Sequence, residues 1–260
     1  MSQPLVATQR DGDVVVWTLS RPEALNAFDR ALLGALLEVV EQARGDRSIR
    51  AAILTAAGDK AFSAGADLRE RRGMTLDETR AFVRTIGATF DAVARLPFPT
   101  IAAVNGVAFG GGMELMLACD LRVLVDTAQV GLLEVAVGIM PAAGGTQRLP
   151  RLVGPARAKE LIFSARRLDA ATALAWGLAN RVVPAGDLMA TARALADEIA
   201  SRAPIAVRQA KFAMDAGADA DLAAGLDIEQ RAYELLLGTQ DRLEGLQAFA
   251  EKRPPRYRGE

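Results

Sequence analysis

The N-terminal part of the chain contains two short apolar runs with an amphipathic stretch between them. Residues 14–17 and 49–54 predict strands, and the first strand ends before the turn residues at 21–23. Between the two runs, apolar side chains recur with helical spacing and predict a helix that packs one face against a sheet. The stripe comprises Leu32, Leu33, Leu36, Leu37, Val40 and Ala43. A strand, a helix and a second strand in this order predict a βαβ unit.

A glycine-rich turn joins the next predicted strand to the next predicted helix. Residues 101–104 are apolar and predict a buried strand, and the apolar segment after the glycines at 110–112 predicts a helix. The glycines let the backbone turn sharply and leave main-chain N–H groups open to a ligand. Glu114 lies in the first turn of the helix, near its partial positive charge. This arrangement suits an anionic intermediate and a proton transfer. Alternatively, the glycines only turn the chain and Glu114 only favours the helix end.

A second loop also places small residues beside acidic ones. Within residues 61–70, Gly65 and Ala66 allow a close approach of the backbone. Asp67, followed by Glu70 three residues later, is typical of a helix cap. This stretch is therefore either part of a site or only the capped start of a helix.

The middle of the chain contains one more strand signal and a second glycine-rich turn. Residues 121–125 predict a strand, and residues 129–134 continue toward a loop that reaches the glycines of 138–148. This turn lacks the Lys-Ser or Lys-Thr pair of a phosphate-binding P-loop. Glu134 is either a site residue or a strand-end acid that lies in solvent or pairs with an arginine.

Helical patterns dominate from residue 155 onward, so we expect an α/β core followed by a packed helical region. The predicted helices cover residues 156–164, 170–176, 188–202, 204–216, 222–237 and 242–252, and a last strand covers 179–183. We assign the core to residues 1–195 and the C-terminal helical region to 196–260. The helical region has more leucines than an exposed helix needs, which predicts a subunit interface. These leucines are Leu235, Leu236, Leu237, Leu243 and Leu246.

Composition excludes several classes of protein. The 260 residues are 51% hydrophobic and have a formal net charge of −1, which argues against a disordered chain and against a nucleic-acid-binding tail. No apolar run reaches the roughly 18 residues of a membrane span. Residues 1–4 lack the features of a signal peptide, so we expect a cytoplasmic protein. The single cysteine, Cys119, excludes an intrachain disulfide and a cysteine metal cluster.

Histidine is absent, and this restricts the possible chemistry. Ser-His-Asp and Cys-His catalysis and histidine-ligated zinc are excluded, and we expect no metal site. Proton transfer near neutral pH must then use carboxylates, lysine, tyrosine or water. Carboxylates are the leading candidates because lysine is scarce. The lysines are Lys60, Lys159, Lys211 and Lys252.

Four motifs, taken together and in this order, resemble the crotonase (enoyl-CoA hydratase/isomerase) family over nearly the whole chain. They are residues 24–27 (ALNA), 62–68 (FSAGADL), 109–115 (FGGGMEL) and 141–150 (PAAGGTQRLP). The resemblance implies the fold of that family, an α/β spiral of stacked ββα units followed by a helical trimerisation region. It also implies a homotrimer, or a homohexamer built from two trimers.

A narrower resemblance links the chain to the AU-binding branch of that family. The matching segments are residues 66–71 (ADLRER), 159–166 (KELIFSAR), 241–246 (DRLEGL) and 251–260 (EKRPPRYRGE). That branch contains 3-methylglutaconyl-CoA hydratase, an enzyme of leucine breakdown that also binds AU-rich RNA. A diacid substrate of this kind needs a cation in the acyl pocket, and Arg69 and Arg72 are the candidates.

The resemblance also implies roles for individual residues. The N–H groups of Ala66 and Gly111 would bind the thioester oxygen, and Glu114 and Glu134 would be the two catalytic carboxylates. Because isomerases and hydrolases of the family often lack one or both, the pair favours a hydratase. Further positions match substrate- or CoA-binding residues, the last two often serving a neighbouring subunit: Ala24, Leu25, Ala64, Gly65, Asp67, Leu68, Phe249 and Lys252. Coenzyme A is part of the substrate, and no other cofactor is implied.

Three functions compete at this point. The leading hypothesis is a hydratase that adds water across the 2,3 double bond of a 2-enoyl-CoA thioester. In it, Glu114 deprotonates the water, Glu134 supplies a proton to Cα, and the two N–H donors stabilise the enolate-like charge. The first alternative is a double-bond isomerase on the same scaffold. The second, an AU-rich RNA-binding protein, is disfavoured by the net charge of −1.

Overall fold

The computed structural model describes residues 4–260. Residues 1–3, part of the N-terminal stretch that lacks signal-peptide features, lie outside the described part. The strands are β1 (Val6–Asp11), β2 (Val14–Leu19), β3 (Ala51–Ala56), β4 (Ala61–Ser63), β5 (Thr100–Val104), β6 (Val107–Phe109), β7 (Leu121–Val125), β8 (Gln129–Gly131), β9 (Leu168–Asp169) and β10 (Arg181–Val183). The α-helices are α1 (Arg30–Arg44), α2 (Leu68–Arg72), α3 (Leu76–Ala94), α4 (Gly111–Ala118), α5 (Gly145–Val153), α6 (Pro155–Ser164), α7 (Ala170–Ala175), α8 (Leu188–Ala200), α9 (Pro204–Gly217), α10 (Leu222–Glu234) and α11 (Gln240–Glu251). Single 3₁₀ turns cover Pro22–Ala24, Glu134–Val137 and Ala185–Asp187.

The strands form two sheets. The larger sheet has six strands in the order β1-β2-β3-β5-β7-β10. β1 pairs antiparallel with β2, and the other neighbours are parallel. β3 and β5 are buried along their whole length, as expected of parallel strands that are covered on both faces. The smaller sheet has the order β4-β6-β8-β9, in which only β9 is antiparallel to its neighbour.

The two sheets arise from a repeated ββα unit. β3 and β4 are followed by α2 and α3, β5 and β6 by α4, and β7 and β8 by the turn Glu134–Val137 and α5. In each repeat the first strand joins the six-stranded sheet and the second joins the four-stranded sheet. This repetition confirms the α/β spiral expected from the family resemblance.

Helix α1 is fixed at its start by a cap and along its length by apolar packing. The side chain of Asp29 accepts a hydrogen bond from the Leu32 N–H at 2.7 Å, which satisfies one of the free donors of the first turn. Leu32, Leu33, Leu36 and Val40 are fully buried. The predicted helical stripe is therefore the face that α1 turns toward the core.

Residues 69–95, in which arginines alternate with acids, fall mainly in α2 and α3, which are separated at Gly73. Helix α3 is not a solvated helix on all sides, because Phe82, Ile86 and Phe90 are buried against the core. This buried face brings α3 to the wall of the cavity described below.

The C-terminal helices pack on the core and on each other. Helix α8 contacts β3, β5 and β7, so the boundary drawn between residues 195 and 196 falls within a helix that packs on the large sheet. Lys211 on α9 forms an ion pair with Asp120 at 2.6 Å, and its side chain is buried there. The division into two regions stays a prediction. Of the surplus leucines, four are exposed and one is half-buried: Leu235, Leu237, Leu243 and Leu246, and Leu236.

The sequence predicts neither a membrane span nor a metal site. Within residues 4–260, no helix is both long enough and apolar enough to cross a membrane. In the same range, no group of three or more His, Cys, Asp or Glu side chains is placed to hold a metal ion. Cys119 is buried, and burial raises the pKa of its thiol to about 12, so it is a small apolar residue of the core rather than a nucleophile.

Candidate active site

The peptide that ends in Ala66 is fixed by backbone hydrogen bonds on both sides. The Phe28 N–H donates to the Gly65 carbonyl at 2.8 Å, and the Asp67 N–H donates to the Phe28 carbonyl at 2.9 Å. Gly65 has a φ of 95°, and a Cβ at this position would lie 2.8 Å from the Phe109 carbonyl oxygen. Only glycine fits there. Among the described residues, the Ala66 N–H has no hydrogen-bond partner, so it is available to a ligand.

A second free donor starts helix α4. The N–H of Gly111 has no partner within residues 4–260, as expected of the first N–H groups of a helix. Gly110 before it has φ 52° and ψ −123°, a conformation that requires glycine, and its N–H donates to the Gly131 carbonyl at 2.8 Å. A Cβ on Gly65 would lie 3.2 Å from the Gly111 nitrogen, and a Cβ on Gly111 would lie 3.7 Å from the Ala66 nitrogen. The two free donors therefore lie close together.

Glu114 lies one turn into α4 and is buried, with 3% of its surface exposed. Its Oε1 accepts hydrogen bonds from the N–H groups of Ala143 at 2.7 Å and Gly145 at 2.9 Å. Burial raises the pKa of the Glu114 carboxyl, whereas the two hydrogen bonds and the charge of Arg148 act in the opposite direction. The side chain therefore does not cap its own helix. It is a buried carboxyl whose orientation is fixed by the start of α5.

Glu134 opens the turn Glu134–Val137, and its carboxyl packs against the backbone of Gly110. A Cβ on Gly110 would lie only 3.1 Å from Glu134 Oε1, so this glycine leaves room for the carboxyl. Glu134 Oε2 is buried and has no hydrogen-bond partner in the described part of the chain. Burial and, to a smaller extent, the charge of Glu114 raise the pKa of Glu134 to about 7. Glu134 is half-buried and forms no ion pair with an arginine of residues 4–260, so it is neither a fully solvent-exposed acid nor a paired one.

The two carboxyls and the two free N–H groups meet at one cavity. Ala66, Gly111, Glu114 and Glu134 all line a cavity of about 530 Å³, a size that suits a small-molecule ligand. The rest of its wall is mainly apolar: Ala64, Gly65, Leu68, Phe82, Val83, Ile86, Phe109, Gly110, Leu133, Val137, Ile139, Met140, Ala142 and Ala143. The structure therefore brings Ala64, Gly65 and Leu68 to this cavity with the four principal residues.

Three other predicted residues, Ala24, Leu25 and Asp67, do not line the cavity. Ala24 and Leu25 lie at the end of the turn Pro22–Ala24, and the Leu25 carbonyl accepts a hydrogen bond from the Ala64 N–H at 3.0 Å. Asp67 caps α2 by accepting from two backbone N–H groups of its first turn. It also forms an ion pair with Arg21 at 2.7 Å. These contacts position the loop that carries the Ala66 N–H.

The two predicted residues on α11 are not brought to this cavity within one chain. Phe249 is 87% exposed, and Lys252 is the exposed residue that ends the helix. Neither of them lines the cavity. Their contact with the coenzyme A nucleotide stays a prediction.

The structure also gives roles to residues for which the motifs implied none. The Ala143 and Gly145 N–H groups fix Glu114, and the glycines of 138–148 were the signal for a backbone site there. Arg71 lines the cavity, whereas Arg69 and Arg72, the expected cations, are exposed and do not. Arg71 follows Leu68 by three residues, so a helix starting at Leu68 places both on one face.

Comparison with known proteins agrees with this site. Residues 9–260 match the family model described as enoyl-CoA hydratase/isomerase. The chain belongs to the enoyl-CoA hydratase/isomerase family. This confirms the resemblance drawn from the four motifs, and it explains why they are spread over nearly the whole chain.

Members of the family with similar sequences cover nearly all of the chain. The rat protein named methylglutaconyl-CoA hydratase, mitochondrial, is 46% identical over 251 residues, which are 95% of this chain and 80% of that protein. The bovine enoyl-CoA hydratase domain-containing protein 2, mitochondrial, is 48% identical over 246 residues, 93% of this chain and 83% of that protein. A crystal structure of an enoyl-CoA hydratase from Bacillus anthracis superimposes with a TM-score of 0.97 at 48% identity and covers 98% of this chain and 100% of that one.

Proposed function

We propose that this member of the family is an enoyl-CoA hydratase, which adds water across the 2,3 double bond of a 2-enoyl-CoA thioester. The observation that supports it best is the convergence of two carboxyls and two unpartnered backbone N–H groups on one cavity. Each part has a task in this reaction, and no histidine or metal ion is needed. The names of similar proteins, enoyl-CoA hydratase and methylglutaconyl-CoA hydratase, support the same activity.

The N–H groups of Ala66 and Gly111 bind the thioester oxygen. When water attacks C3, electron density moves through the conjugated double bond onto that oxygen, which becomes enolate-like. Two donors that already point at the cavity stabilise this charge, and each is worth roughly 10²–10³ in rate. The N-terminus of α4 adds its partial positive charge at the same place.

The two carboxyls transfer the protons. Glu114 accepts a proton from the water as its oxygen bonds to C3, and Glu134 donates a proton to C2 as the double bond is lost. The product has gained one hydroxyl group and one hydrogen, and transfer of the proton from Glu114 to Glu134 by way of water restores both carboxyls for the next cycle. A pKa of about 7 keeps Glu134 protonated in a large share of molecules at neutral pH, which suits a general acid.

A double-bond isomerase is the second candidate, because the family model covers isomerases as well as hydratases. An isomerase needs to move a proton between two carbons and does not add water. The presence of both Glu114 and Glu134 in the cavity favours the hydratase, since two carboxyls can activate one water and protonate one carbon. RNA binding is not proposed, because a net charge of −1 provides little attraction for a polyanion.

The substrate is an acyl-CoA, and we include 3-methylglutaconyl-CoA among the candidates because three mammalian relatives carry the name methylglutaconyl-CoA hydratase. We further propose a homotrimer or a homohexamer. The exposed leucines of the C-terminal region and the exposed Phe249 support it, since a partner subunit would cover them. A cytoplasmic location and a role in leucine breakdown belong to the same set of proposals.

Incubation of the purified protein with crotonyl-CoA in oxygen-labelled water tests the activity. The expected product is 3-hydroxybutyryl-CoA that contains one labelled oxygen, detected by mass spectrometry. A parallel reaction with a 3-enoyl-CoA thioester tests the isomerase, which would return a 2-enoyl product without label. Label-free isomerisation combined with no hydration would replace the hydratase by the second candidate.

A further inference from the structure

Arg71 is a cationic side chain in the wall of an otherwise mainly apolar cavity, and it has no carboxylate partner. The residue is half-buried on α2, and its guanidinium lies 6.0 Å from the ring centroid of the buried Phe82. Within residues 4–260 it makes no ion pair or side-chain hydrogen bond, whereas Arg30, which lies beside the same helix, does. Arg30 pairs with Glu70 and Glu78.

The acids near Arg71 in sequence are already engaged elsewhere. Glu70 accepts a hydrogen bond from the Arg30 N–H at 3.1 Å, and Glu78 forms the capping box of α3 with Thr75. Asp67 pairs with Arg21. A partly desolvated guanidinium without a partner is unfavourable, and a carboxylate ligand that it binds with two parallel hydrogen bonds would remove that penalty.

Arg71 and the Gly111 end of the cavity lie beside two side chains of α3 that are one helical turn apart. Ile86 touches the oxyanion side of the cavity, since a Cβ on Gly111 would lie 3.2 Å from Ile86 Cδ1. Phe82, over which Arg71 lies, is one turn earlier on α3, a step of about 6 Å along the helix. Four C–C bonds of about 1.5 Å in a zigzag span about 5 Å, which is the separation between the thioester carbon and a carboxylate carbon at C5.

We propose that Arg71 is a specificity residue that binds a second carboxylate at the far end of the acyl group, so that the preferred substrates are 2-enoyl-CoA thioesters of dicarboxylic acids. This inference rests on the proposed hydratase activity. An acyl chain that is wholly apolar has no use for the guanidinium, because Leu68, Phe82, Val83 and Ile86 already provide the apolar wall. The phosphates of the coenzyme A nucleotide are the other anionic groups to which a guanidinium could bind. Every substrate carries them, so such a contact would not select one acyl group over another.

Two thioesters that differ only in that carboxylate provide the test. Glutaconyl-CoA is crotonyl-CoA with a carboxylate on C4. In the full-length protein, Arg71→Met should lower the ratio of kcat/KM for glutaconyl-CoA to kcat/KM for crotonyl-CoA by roughly 10- to 100-fold, the value of a charged hydrogen-bonded contact. Arg71→Lys should give an intermediate ratio, because lysine keeps the charge and loses the bidentate geometry.

A matched control variant is Arg84→Met on α3, where the arginine is exposed and does not line the cavity. It should leave the ratio at the wild-type value. A readout without turnover is the Kd of the saturated thioesters glutaryl-CoA and butyryl-CoA, measured by calorimetry, of which only glutaryl-CoA should bind more weakly to Arg71→Met. Circular dichroism and the thermal midpoint confirm that each variant is folded.

The outcomes distinguish a failure of the specificity role of Arg71 from a failure of the hydratase activity. If the wild type hydrates crotonyl-CoA but the ratio does not change in Arg71→Met, the specificity role is refuted and the hydratase stands. An equal loss for both thioesters would instead assign Arg71 to coenzyme A or to the fold, and it would also refute the role. If the wild type hydrates neither thioester, the proposed function fails, whereas weaker binding of glutaryl-CoA alone to Arg71→Met would still support carboxylate binding.

Discussion

Replacement of Glu134 by glutamine should stabilise the protein at alkaline pH while it removes most of the activity. The Glu134 carboxyl has its pKa raised from an ordinary value of 4.5 to about 7, chiefly by burial. The folded state therefore keeps this proton over a range in which the unfolded chain has released it. Glutamine has a similar shape and never ionises, so it removes the penalty of the buried anion.

The sign and size of the stability change follow from the linkage between protonation and folding. Below about pH 4.5 the carboxyl is protonated in both states, and it makes no difference to the free energy of unfolding. Between pH 4.5 and about 7 the unfolded state binds fewer protons than the folded state, so stability falls as pH rises. The shift would correspond to about 3 kcal/mol for a fully enclosed group. Because the side chain is only half-buried, solvent screening reduces this to about 1–2 kcal/mol.

Urea unfolding at a fixed protein concentration measures the effect. We expect Glu134→Gln to exceed the wild type in free energy of unfolding by about 1–2 kcal/mol near pH 8 and by little near pH 4.5. Its kcat for hydration should fall by roughly 10²–10⁴. The exposed Glu38 on α1 provides the control, because Glu38→Gln should change stability by less than about 0.5 kcal/mol at either pH. If the stability curves of Glu134→Gln and the wild type run parallel in pH, the raised pKa and the acid role derived from it are both refuted.

Three further predictions concern the donors, the second carboxyl and the assembly. Glu114→Gln should lower kcat by roughly 10²–10⁴, and the double variant with Glu134→Gln should lose far less than the product of the two single losses; a wild-type rate of crotonyl-CoA hydration in Glu114→Gln would favour the isomerase. Gly111→Pro removes an oxyanion donor and should lower kcat by at least roughly 10², with circular dichroism to show native structure first; full activity in the folded variant would end that assignment. Truncation after Leu237 should weaken both assembly and coenzyme A affinity, measured by light scattering and by KM; full activity in the truncated chain would remove Phe249 and Lys252 from the site.

Much of the fold could be predicted from hydrophobic periodicity, because its main elements are long enough to carry a pattern. The buried strand β5 and the apolar face of α1 coincide with the predicted strand and helix. The short strands β4, β6, β8 and β9 were missed, since two or three residues carry no period and their partners are distant in sequence. β1 was missed for another reason. It is an edge strand whose residues are mostly exposed, so it has no apolar run.

The candidate site could be predicted only in part. The motifs indicated which residues belong to it, but not that Glu134 approaches Gly110 or that the start of α5 holds Glu114. These are contacts between segments far apart in the chain. Which of Arg69, Arg71 and Arg72 faces the cavity depends on how the five-residue helix α2 is rotated about its axis. The sequence of three closely spaced arginines does not fix that rotation.

The different surroundings of the two carboxyls give the assignment of base and acid a physical cause. Glu114 Oε1 accepts from Ala143 and from Gly145, the first residue of α5, so hydrogen bonds and a helix N-terminus both stabilise its anion. Glu134 has a buried Oε2 without a partner, and the charge of Glu114 lies nearby, so its neutral form is favoured. Burial raises the pKa of both carboxyls, and the donors at the start of α5 offset part of that rise for Glu114. In the proposed hydratase, Glu114 is therefore the carboxyl with groups placed to stabilise its anion as it takes a proton from water, and Glu134 is the carboxyl that gives a proton to carbon.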